Sequence, residues 1–170
     1  ELTIDPDAAA GDREIRLLAQ LGLSNPVVFQ VGGRPEVLES KPGDSDARVA
    51  DPVTLPVTVN GQIRPGDADR FRFNAREGQS LVIRAQARRL VPFIADAVPG
   101  WFQATLAVFD ANGRQLAFAD DWRFDPDPVL LFKVPATGDY DVEIRDALWR
   151  GRADFVYRVL IDEQPFITDI

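Results

Sequence analysis

Apolar and polar residues alternate along most of the chain after residue 55, in short runs that Gly, Pro, Asn and Asp separate. The clearest run has Phe71 and Phe73 set between Arg70, Arg72 and Asn74. Successive side chains of a strand point to opposite faces, so such a run predicts a strand with one face on a core and the other in water. We therefore expect strands, and no long helices, through this part of the chain.

Roughly eight such runs fall between Leu55 and Ile161. Their apolar positions are, in chain order, Val57 and Val59; Phe71 and Phe73; Leu81, Ile83 and Ala85; Leu106 and Val108; Leu116 and Phe118; Leu130, Phe132 and Val134; Tyr140, Val142 and Ile144; and Phe155, Tyr157, Val159 and Ile161. Between the fourth and fifth runs, Asn112-Gly113 predicts a tight hairpin, because both residue types adopt positive φ readily. The number and spacing predict an antiparallel, jelly-roll-like β-sandwich. Its core is expected to contain Phe71, Phe73, Ile83, Tyr140, Ile144 and Tyr157.

The N-terminal part of the chain has a different pattern. Three further strand candidates carry Leu2 and Ile4, Ile15 and Leu17, and Val27, Phe29 and Val31. Three strands rarely form a stable sandwich alone. We interpret residues 1–34 as immunoglobulin-like closing strands, either of an upstream domain or packed on the main sandwich. Residues 35–56, rich in Pro, Asp, Ser and Gly, are predicted to be a linker, 57–162 the sandwich and 163–170 a tail.

Composition narrows the possible functions. The chain has 170 residues, a net charge of -8 and a pI near 4.5, so its field repels nucleic-acid phosphates. No apolar run approaches the ~20 residues that span a bilayer. The chain has no cysteine and no histidine, which excludes disulfides, thiolate nucleophiles and Ser-His pairs. It begins at Glu1 without methionine or a signal-like segment, so a fragment of a longer protein is expected.

Several aspartates have two interpretations. Asp67 and Asp69 follow Gly66, where aspartate commonly caps the backbone amides of a turn but also ligates calcium. Asp120 and Asp121, with Asp125 and Asp127 nearby, suggest a second calcium loop or the carboxylate pair of a small acidic glycosidase. Adjacent positions of a strand point to opposite faces, so Asp120 and Asp121 would share a proton only across a bulge.

Aromatic residues are concentrated in two later segments. Trp101, Phe102, Trp122 and Trp149 are candidate ligand contacts, because exposed aromatic clusters mark interfaces for glycans or proteins. The alternative is burial, with the apolar segment 90–102 folded over one end of the sandwich. The arginines at 88, 89, 145, 150 and 152 alternate with acidic residues and are expected to form ion pairs.

From Glu39 to Ile161 the order of these features resembles the bacterial pre-peptidase C-terminal domain family. The resemblance is carried by Glu39-Ser40-Lys41-Pro42-Gly43-Asp44-Ser45, Val59-Asn60-Gly61-Gln62-Ile63, Gly66-Asp67-Ala68-Asp69-Arg70-Phe71-Arg72-Phe73, Leu106-Ala107-Val108-Phe109-Asp110-Ala111-Asn112-Gly113, Ala119-Asp120-Asp121 and Gly138-Asp139-Tyr140 with Val142. It implies a β-sandwich beside the catalytic domain of a secreted protein. It also implies a calcium site made by Glu39, Asp44, Asp67 and Asp69, although this chain has Lys41 and Gly43 where the family usually has a second Glu and an Asn.

The resemblance predicts a non-catalytic accessory module of a larger secreted or cell-surface bacterial protein, with a peptidase as the candidate parent. Such a module aids folding, anchoring or substrate binding. Its expected partners are other domains of the parent chain and an extracellular protein or polysaccharide, with neither nucleic acid binding nor membrane insertion. A passive spacer, a glycan-binding module and a small acidic hydrolase are the alternatives.

Overall fold

The computed structural model of the chain describes residues 3–40, 50–92 and 100–165. Every regular element in these ranges is a β-strand. The strands are β1 Gly11–Ile15, β2 Leu18–Ala19, β3 Gly22–Leu23, β4 Val27–Val31, β5 Glu36–Leu38, β6 Asp51–Pro52, β7 Val57–Gln62, β8 Ala68–Ala75, β9 Ser80–Gln86, β10 Ala104–Asp110, β11 Gln115–Ala119, β12 Val129–Lys133, β13 Gly138–Asp146 and β14 Val156–Glu163. Within the same ranges, no helix is long and apolar enough to cross a membrane.

Two five-stranded sheets form a sandwich, which confirms the predicted fold class. The front sheet has the order β11-β10-β13-β8-β6 and the back sheet the order β12-β9-β14-β7-β5. The strands β7 to β14 coincide with the eight predicted runs, and all pairings among them are antiparallel. The chain crosses repeatedly between the sheets, so every pairing within them except that of β10 with β11 joins strands that are not consecutive in sequence.

The space between the two sheets holds one apolar core. All six predicted core residues are at most 4% exposed: Phe71, Phe73, Ile83, Tyr140, Ile144 and Tyr157. In the front sheet the register places Tyr140 opposite Phe73 and Val142 opposite Phe71, so large side chains meet across the strands. Burial of such side chains is the main force that holds the sheets together.

The β10–β11 hairpin is confirmed, but its turn differs in detail from the prediction. Only Gly113 has positive φ, at 78°, while Asn112 does not. The Gly113 amide donates to the Asp110 carbonyl at 2.9 Å, and the Asp110 amide donates to the Arg114 carbonyl at 3.0 Å. This longer turn, with one left-handed glycine, needs positive φ at one position instead of two.

The N-terminal strands form separate two-stranded sheets, β1 with β4 and β2 with β3. Leu17 lies outside β1, Ile4 lies in no strand, and Leu2 is outside the described residues. Asp12 of β1 forms an ion pair with Arg89 at 3.1 Å, and Arg34 reaches Asp162 of the back sheet at 2.6 Å. Residues of this part therefore contact the sandwich. Their immunoglobulin-like origin stays a prediction.

The segment predicted as a linker also contributes strands. β5 pairs with β7 and β6 pairs with β8, both in parallel, so the segment adds an edge strand to each sheet. Residues 41–49 of this segment lie outside the described ranges. The parallel pairings were not expected, because three- and two-residue strands are too short to show alternation.

The two ends of the sandwich are built differently. One end consists of tight turns at 76–79, 111–114 and 134–137, and we call it the turn end. The other end carries segments 63–67, 87–103, 120–128 and 147–155, and we call it the loop end. Within segment 87–103, residues 93–99 are outside the described ranges. The candidate functional residues within the described ranges lie at the loop end or beside it, at the start of β8 and just after β5.

Candidate functional site

The structure brings two of the predicted calcium ligands together around a tyrosine. Asp69 shares the inward face of β8 with Phe71 and Phe73, because the three positions are two residues apart. The Tyr157 hydroxyl lies 2.7 Å from Asp69 Oδ2 and 3.2 Å from Glu39 Oε2. Since a phenol has one proton to donate, Tyr157 donates to Asp69, and Glu39 is the second acceptor within reach.

Glu39 and Tyr157 are positioned by strand β7. The Glu39 amide donates to the Asn60 carbonyl at 2.9 Å, which fixes the residue just after β5. Tyr157 is paired with Gly61 in the back sheet. A Cβ atom at Gly61 would collide with the phenol of Tyr157 and with the Glu39 carboxylate. The glycine therefore makes the space in which the tyrosine and the two carboxylates meet.

The carboxyl groups of Glu39, Asp67 and Asp69 lie close together in this cluster and repel one another when they are ionised. Burial, together with the neighbouring charges of Glu39 and Asp67, raises the pKa of Asp69 to about 8, against the opposing effect of the Tyr157 hydrogen bond. Burial, followed by the Asp69 charge, also raises the pKa of Tyr157. At neutral pH Asp69 is therefore mostly protonated, and one shared proton relieves the repulsion between the carboxylates.

The described residues do not complete a calcium site. Asp67 is 2% exposed, and its Oδ1 accepts from the Ala68 amide at 2.9 Å, as expected of a turn-capping aspartate. No group of three or more acidic residues in ranges 3–40, 50–92 and 100–165 is arranged to hold a metal ion. The fourth predicted ligand, Asp44, lies outside those ranges. Calcium prefers six to eight oxygen ligands, so Glu39 and Asp69 alone do not fit it.

The loop end is held together by Asp146, the last residue of β13, which is fully buried. Its carboxylate accepts the backbone amides of Gln103, Leu148 and Arg150 at 2.9–3.1 Å and is chelated by the Arg150 guanidinium, with both contacts at 2.9 Å. Burial opposes ionisation, but the Arg150 side chain and the amides hold the pKa of Asp146 below its usual value. Arg150 also donates to the Trp101 carbonyl at 2.7 Å. One carboxylate thus ties loop 100–103 to loop 147–150.

The candidate aromatic residues have different environments. Phe102 is 5% exposed and stacks on Phe155 at 5.1 Å, so most of its ring belongs to the core, and only its edge lines the cleft described below. Trp101 is half-buried, and the Arg88 guanidinium lies 3.1 Å from its ring centroid. Trp149 is 50% exposed and has Arg145 over its ring at 4.7 Å. Adjacent Trp101 and Phe102 therefore divide between surface and core, as alternation requires.

Trp122 forms the base of a tight turn. Its amide and carbonyl are both hydrogen-bonded to the backbone of Asp125, at 2.9 and 3.0 Å. Arg123 and Phe124 occupy the apex of the turn, and Arg123 has a left-handed φ of 59°. Phe124 consequently projects from the surface with 104% relative exposure. Such an orientation leaves a large apolar ring entirely in solvent.

A cleft of about 490 Å³ lies between these loops at the loop end. Trp101, Phe124 and Leu148 contribute its apolar lining, and Asp120, Asp121 and three arginines contribute its charged lining. Leu148 is 69% exposed. The cleft falls within the size range of sites for small ligands or for single protein side chains.

The later aspartates do not form a paired carboxylate site. Asp127 is buried and accepts the amides of Arg88 and Arg89 at 2.8 and 3.0 Å, which makes it a cap for that segment. Asp125 accepts the Asp127 amide at 3.0 Å. Asp120 and Asp121 are exposed.

Most of the predicted arginines are engaged as expected. Arg89, Arg145, Arg150 and Arg152 form ion pairs, with Asp12, Glu143, Asp146 and Asp154 respectively. Arg88 is the exception, because its guanidinium lies over the ring of Trp101.

Three contributors were missed as site residues. Tyr157 was expected only in the core, although a buried phenol requires a hydrogen-bond partner and Asp69 was the inward polar group available. Asp146 has no distinguishing motif. Leu148 follows it on the loop, and its exposure depends on the turn that Asp146 caps.

The comparisons with known proteins give a likeness of fold. No protein-family model and no curated protein sequence matches the chain. The pre-peptidase C-terminal domain of collagenase from Bacillus anthracis has a similar structure, with 13% identity and a TM-score of 0.47 over 77% of this chain and 100% of that domain. A mutant of PliG from Escherichia coli, a periplasmic inhibitor of g-type lysozyme, aligns with 16% identity and a TM-score of 0.42 over 67% of this chain and 98% of that one.

PliG from Salmonella Typhimurium aligns with 19% identity and a TM-score of 0.40 over 75% of this chain and 96% of that one. All of these structures resemble the present chain in architecture. Identities this low transfer neither an activity nor a partner to it.

Proposed function

We propose that the chain is a non-catalytic accessory module of a larger exported bacterial protein, acting outside the cytoplasm, and that its loop end binds a partner. One observation supports this function best. Phe124, Leu148 and Trp149 are 104%, 69% and 50% exposed at one end of the sandwich. The ion pair of Asp146 and Arg150 fixes the loop of Leu148 and Trp149, and two backbone hydrogen bonds between Trp122 and Asp125 close the turn of Phe124. Clustered exposed apolar residues on a rigid frame are typical of interaction surfaces.

The chemistry of the site residues supports the non-catalytic part of this proposal. The carboxylates that meet, Glu39 and Asp69, are hydrogen-bonded to Tyr157. Glu39 and Tyr157 line a separate cleft of about 430 Å³, but Asp69, the carboxyl group with the raised pKa, lines neither that cleft nor the one at the loop end. The cleft aspartates Asp120 and Asp121 are exposed. A general acid needs a raised pKa in a place where substrate enters, and these two requirements fall on different residues here.

Sedimentation of the purified chain with insoluble ligands tests the binding role. The ligands are peptidoglycan, chitin and fibrous collagen, and the variants are Phe124→Ala/Leu148→Ala and, as a matched control, Leu18→Ala/Leu21→Ala, two leucines that are equally exposed in the N-terminal part. We expect binding that the first variant weakens about tenfold or more and the control leaves unchanged. No binding by any of the three proteins would favour the passive spacer, whereas equal binding by all three would place the binding surface away from the loop end.

Calcium remains a proposal that depends on Asp44 joining Glu39, Asp67 and Asp69. Thermal unfolding in chelator and in millimolar calcium tests it. A ligand at 100 times its dissociation constant stabilises the native state by about 2.7 kcal/mol. A higher Tm in calcium that Asp44→Asn abolishes would support the site, whereas the same Tm in both conditions would contradict it.

A further inference from the structure

The apolar groups at the loop end protrude and do not form a flat face. Phe124 stands at the apex of the turn that Trp122 and Asp125 close, and its side chain is fully exposed. Leu148 lies beside it on the lining of the same cleft and is 69% exposed. Protruding apolar side chains of this kind fill pockets on a partner, and they are the usual anchors of protein interfaces.

The charged groups of the cleft divide into engaged cations and free anions. The Arg88 guanidinium is stacked on Trp101, and that of Arg150 is held by Asp146. The guanidinium of Arg123, the third arginine of the cleft, lies over the ring of Trp122 at 5.6 Å. By contrast, Asp120 and Asp121 make no hydrogen bond or ion pair within the part of the chain that the structure describes. The charge available to a ligand at this rim is therefore negative, as is the net charge of -8.

This combination favours a protein over a polysaccharide. A sugar ring binds by stacking on a flat aromatic face beside hydrogen-bond donors and acceptors. The flat ring of Trp101 already carries Arg88, and three of the five Arg150 donors are already used. The exposed side chain of Leu148 has no polar group that could form a hydrogen bond with a hydroxylated ligand. An apolar side chain next to a cationic one would satisfy both Phe124 and the two aspartates.

The surface is also fixed before a partner arrives. Arg123 and Trp149 have left-handed φ values of 59°, which non-glycine residues adopt only when their surroundings impose it. Each belongs to a turn that presents one of the protruding groups, Arg123 next to Phe124 and Trp149 next to Leu148. A surface ordered in advance loses less conformational entropy on binding.

We propose that the loop-end cleft docks a basic protein, whose apolar side chains contact Phe124 and Leu148 while its Lys or Arg side chains pair with Asp120 and Asp121. This inference rests on the proposed binding function and adds the class of partner. It also predicts binding that weakens as salt concentration rises, because exposed charges at a rim are screened.

Panning a random-peptide phage library against the full chain tests the partner class. Peptides that bind equally to Phe124→Ala/Leu148→Ala are first removed, and those remaining are synthesised. Their affinities are measured for the unmodified chain, for Asp120→Asn/Asp121→Asn, and for a control with the same charge change at the turn end, Glu77→Gln/Asp139→Asn. All four positions are exposed, so the variants are expected to fold, and circular dichroism checks this. Chitohexaose is titrated in parallel.

We expect the retained peptides to combine Lys or Arg with apolar residues. Their affinity should fall about threefold to tenfold in Asp120→Asn/Asp121→Asn and stay within about twofold in the control. Retained peptides without basic residues, or equal losses in both variants, would overturn the basic partner while leaving the binding function intact. Binding of chitohexaose without binding of any peptide would show that the partner is a glycan and not a protein. If neither binds, both the inference and the binding function fail.

Discussion

Asp146 and Asp69 lie at the same end of the front sheet but have partners of opposite charge. Asp146 receives a guanidinium and three amides, so its pKa falls despite complete burial. Asp69 is half-buried beside Glu39 and Asp67, and its pKa rises to about 8. Burial by itself therefore does not decide the charge of an aspartate here, because the hydrogen-bond donors and the charges beside each carboxyl group also shift its pKa. Asp146 fixes loops as an anion, whereas Asp69 is tolerated beside other carboxylates because it is protonated.

The largest expected effect comes from breaking the Asp146 network. Asp146→Ala leaves the Arg150 guanidinium and three amides without their acceptor, and we expect a loss of about 3–5 kcal/mol in the free energy of unfolding. Urea unfolding measures it. Asp154→Ala removes the partner of Arg152 in a more exposed pair, with 30% and 34% side-chain exposure, and should lose about 0–1 kcal/mol. Similar losses of stability in the two variants would contradict the role of Asp146 as the anchor of the loop end.

A smaller effect is expected when Tyr157 is displaced from the other aspartate. Gly61→Ala places a methyl group against the phenol, and overpacking of this kind lowers the free energy of unfolding by about 1–3 kcal/mol. Gly138→Ala, also in a strand, is the control, because a Cβ at Gly138 meets no atom within 4 Å. Thermal unfolding of both variants should separate them. Equal Tm values would show that the tyrosine moves aside freely.

The smallest effect depends on pH. Because the pKa of Asp69 is higher in the folded than in the unfolded chain, the folded state holds the extra proton, and its stabilising contribution is complete below the unfolded value of 3.8. This contribution falls as pH rises and is lost once pH passes about 8. Asp69→Asn cannot ionise and should remove this slope, with a gain on the order of 1 kcal/mol at alkaline pH, discounted for partial solvation.

Urea unfolding of the unmodified chain and of Asp69→Asn across this pH range measures how the free energy of unfolding of each protein changes with pH. If the slopes are the same, Asp69 is ionised in the folded state.

The sequence predicted features that depend on neighbouring residues better than features that depend on residues far apart in the chain. Alternation is a local property, so Phe71 and Phe73 identified β8 and its buried face without knowledge of the fold. The same alternation, continued to Asp69, is consistent with its inward face, but its partners Tyr157 and Glu39 come from distant parts of the chain and were not predicted. The short strands β5 and β6 exist because the edges of β7 and β8 accept them, which no local pattern indicates.

The candidate site was less predictable than the fold. Trp122 and Trp149 were expected at a surface, but the exposed groups that matter most are their neighbours Phe124 and Leu148. Their exposure results from left-handed residues at Arg123 and Trp149, where non-glycine residues give no warning in the sequence. Phe102 was placed in the surface set because an adjacent aromatic pair does not reveal which member points inward.

The Asp146 anchor has a consequence for protein engineering. Its hydrogen bonds reach backbone amides and one arginine, and none of them involves the side chains of Asp120, Asp121, Phe124 or Leu148. The residues that hold the loops and the residues that face outward are thus different sets. Specificity at this end can be diversified position by position while the framework stays the same, much as variable loops are exchanged on a constant antibody scaffold.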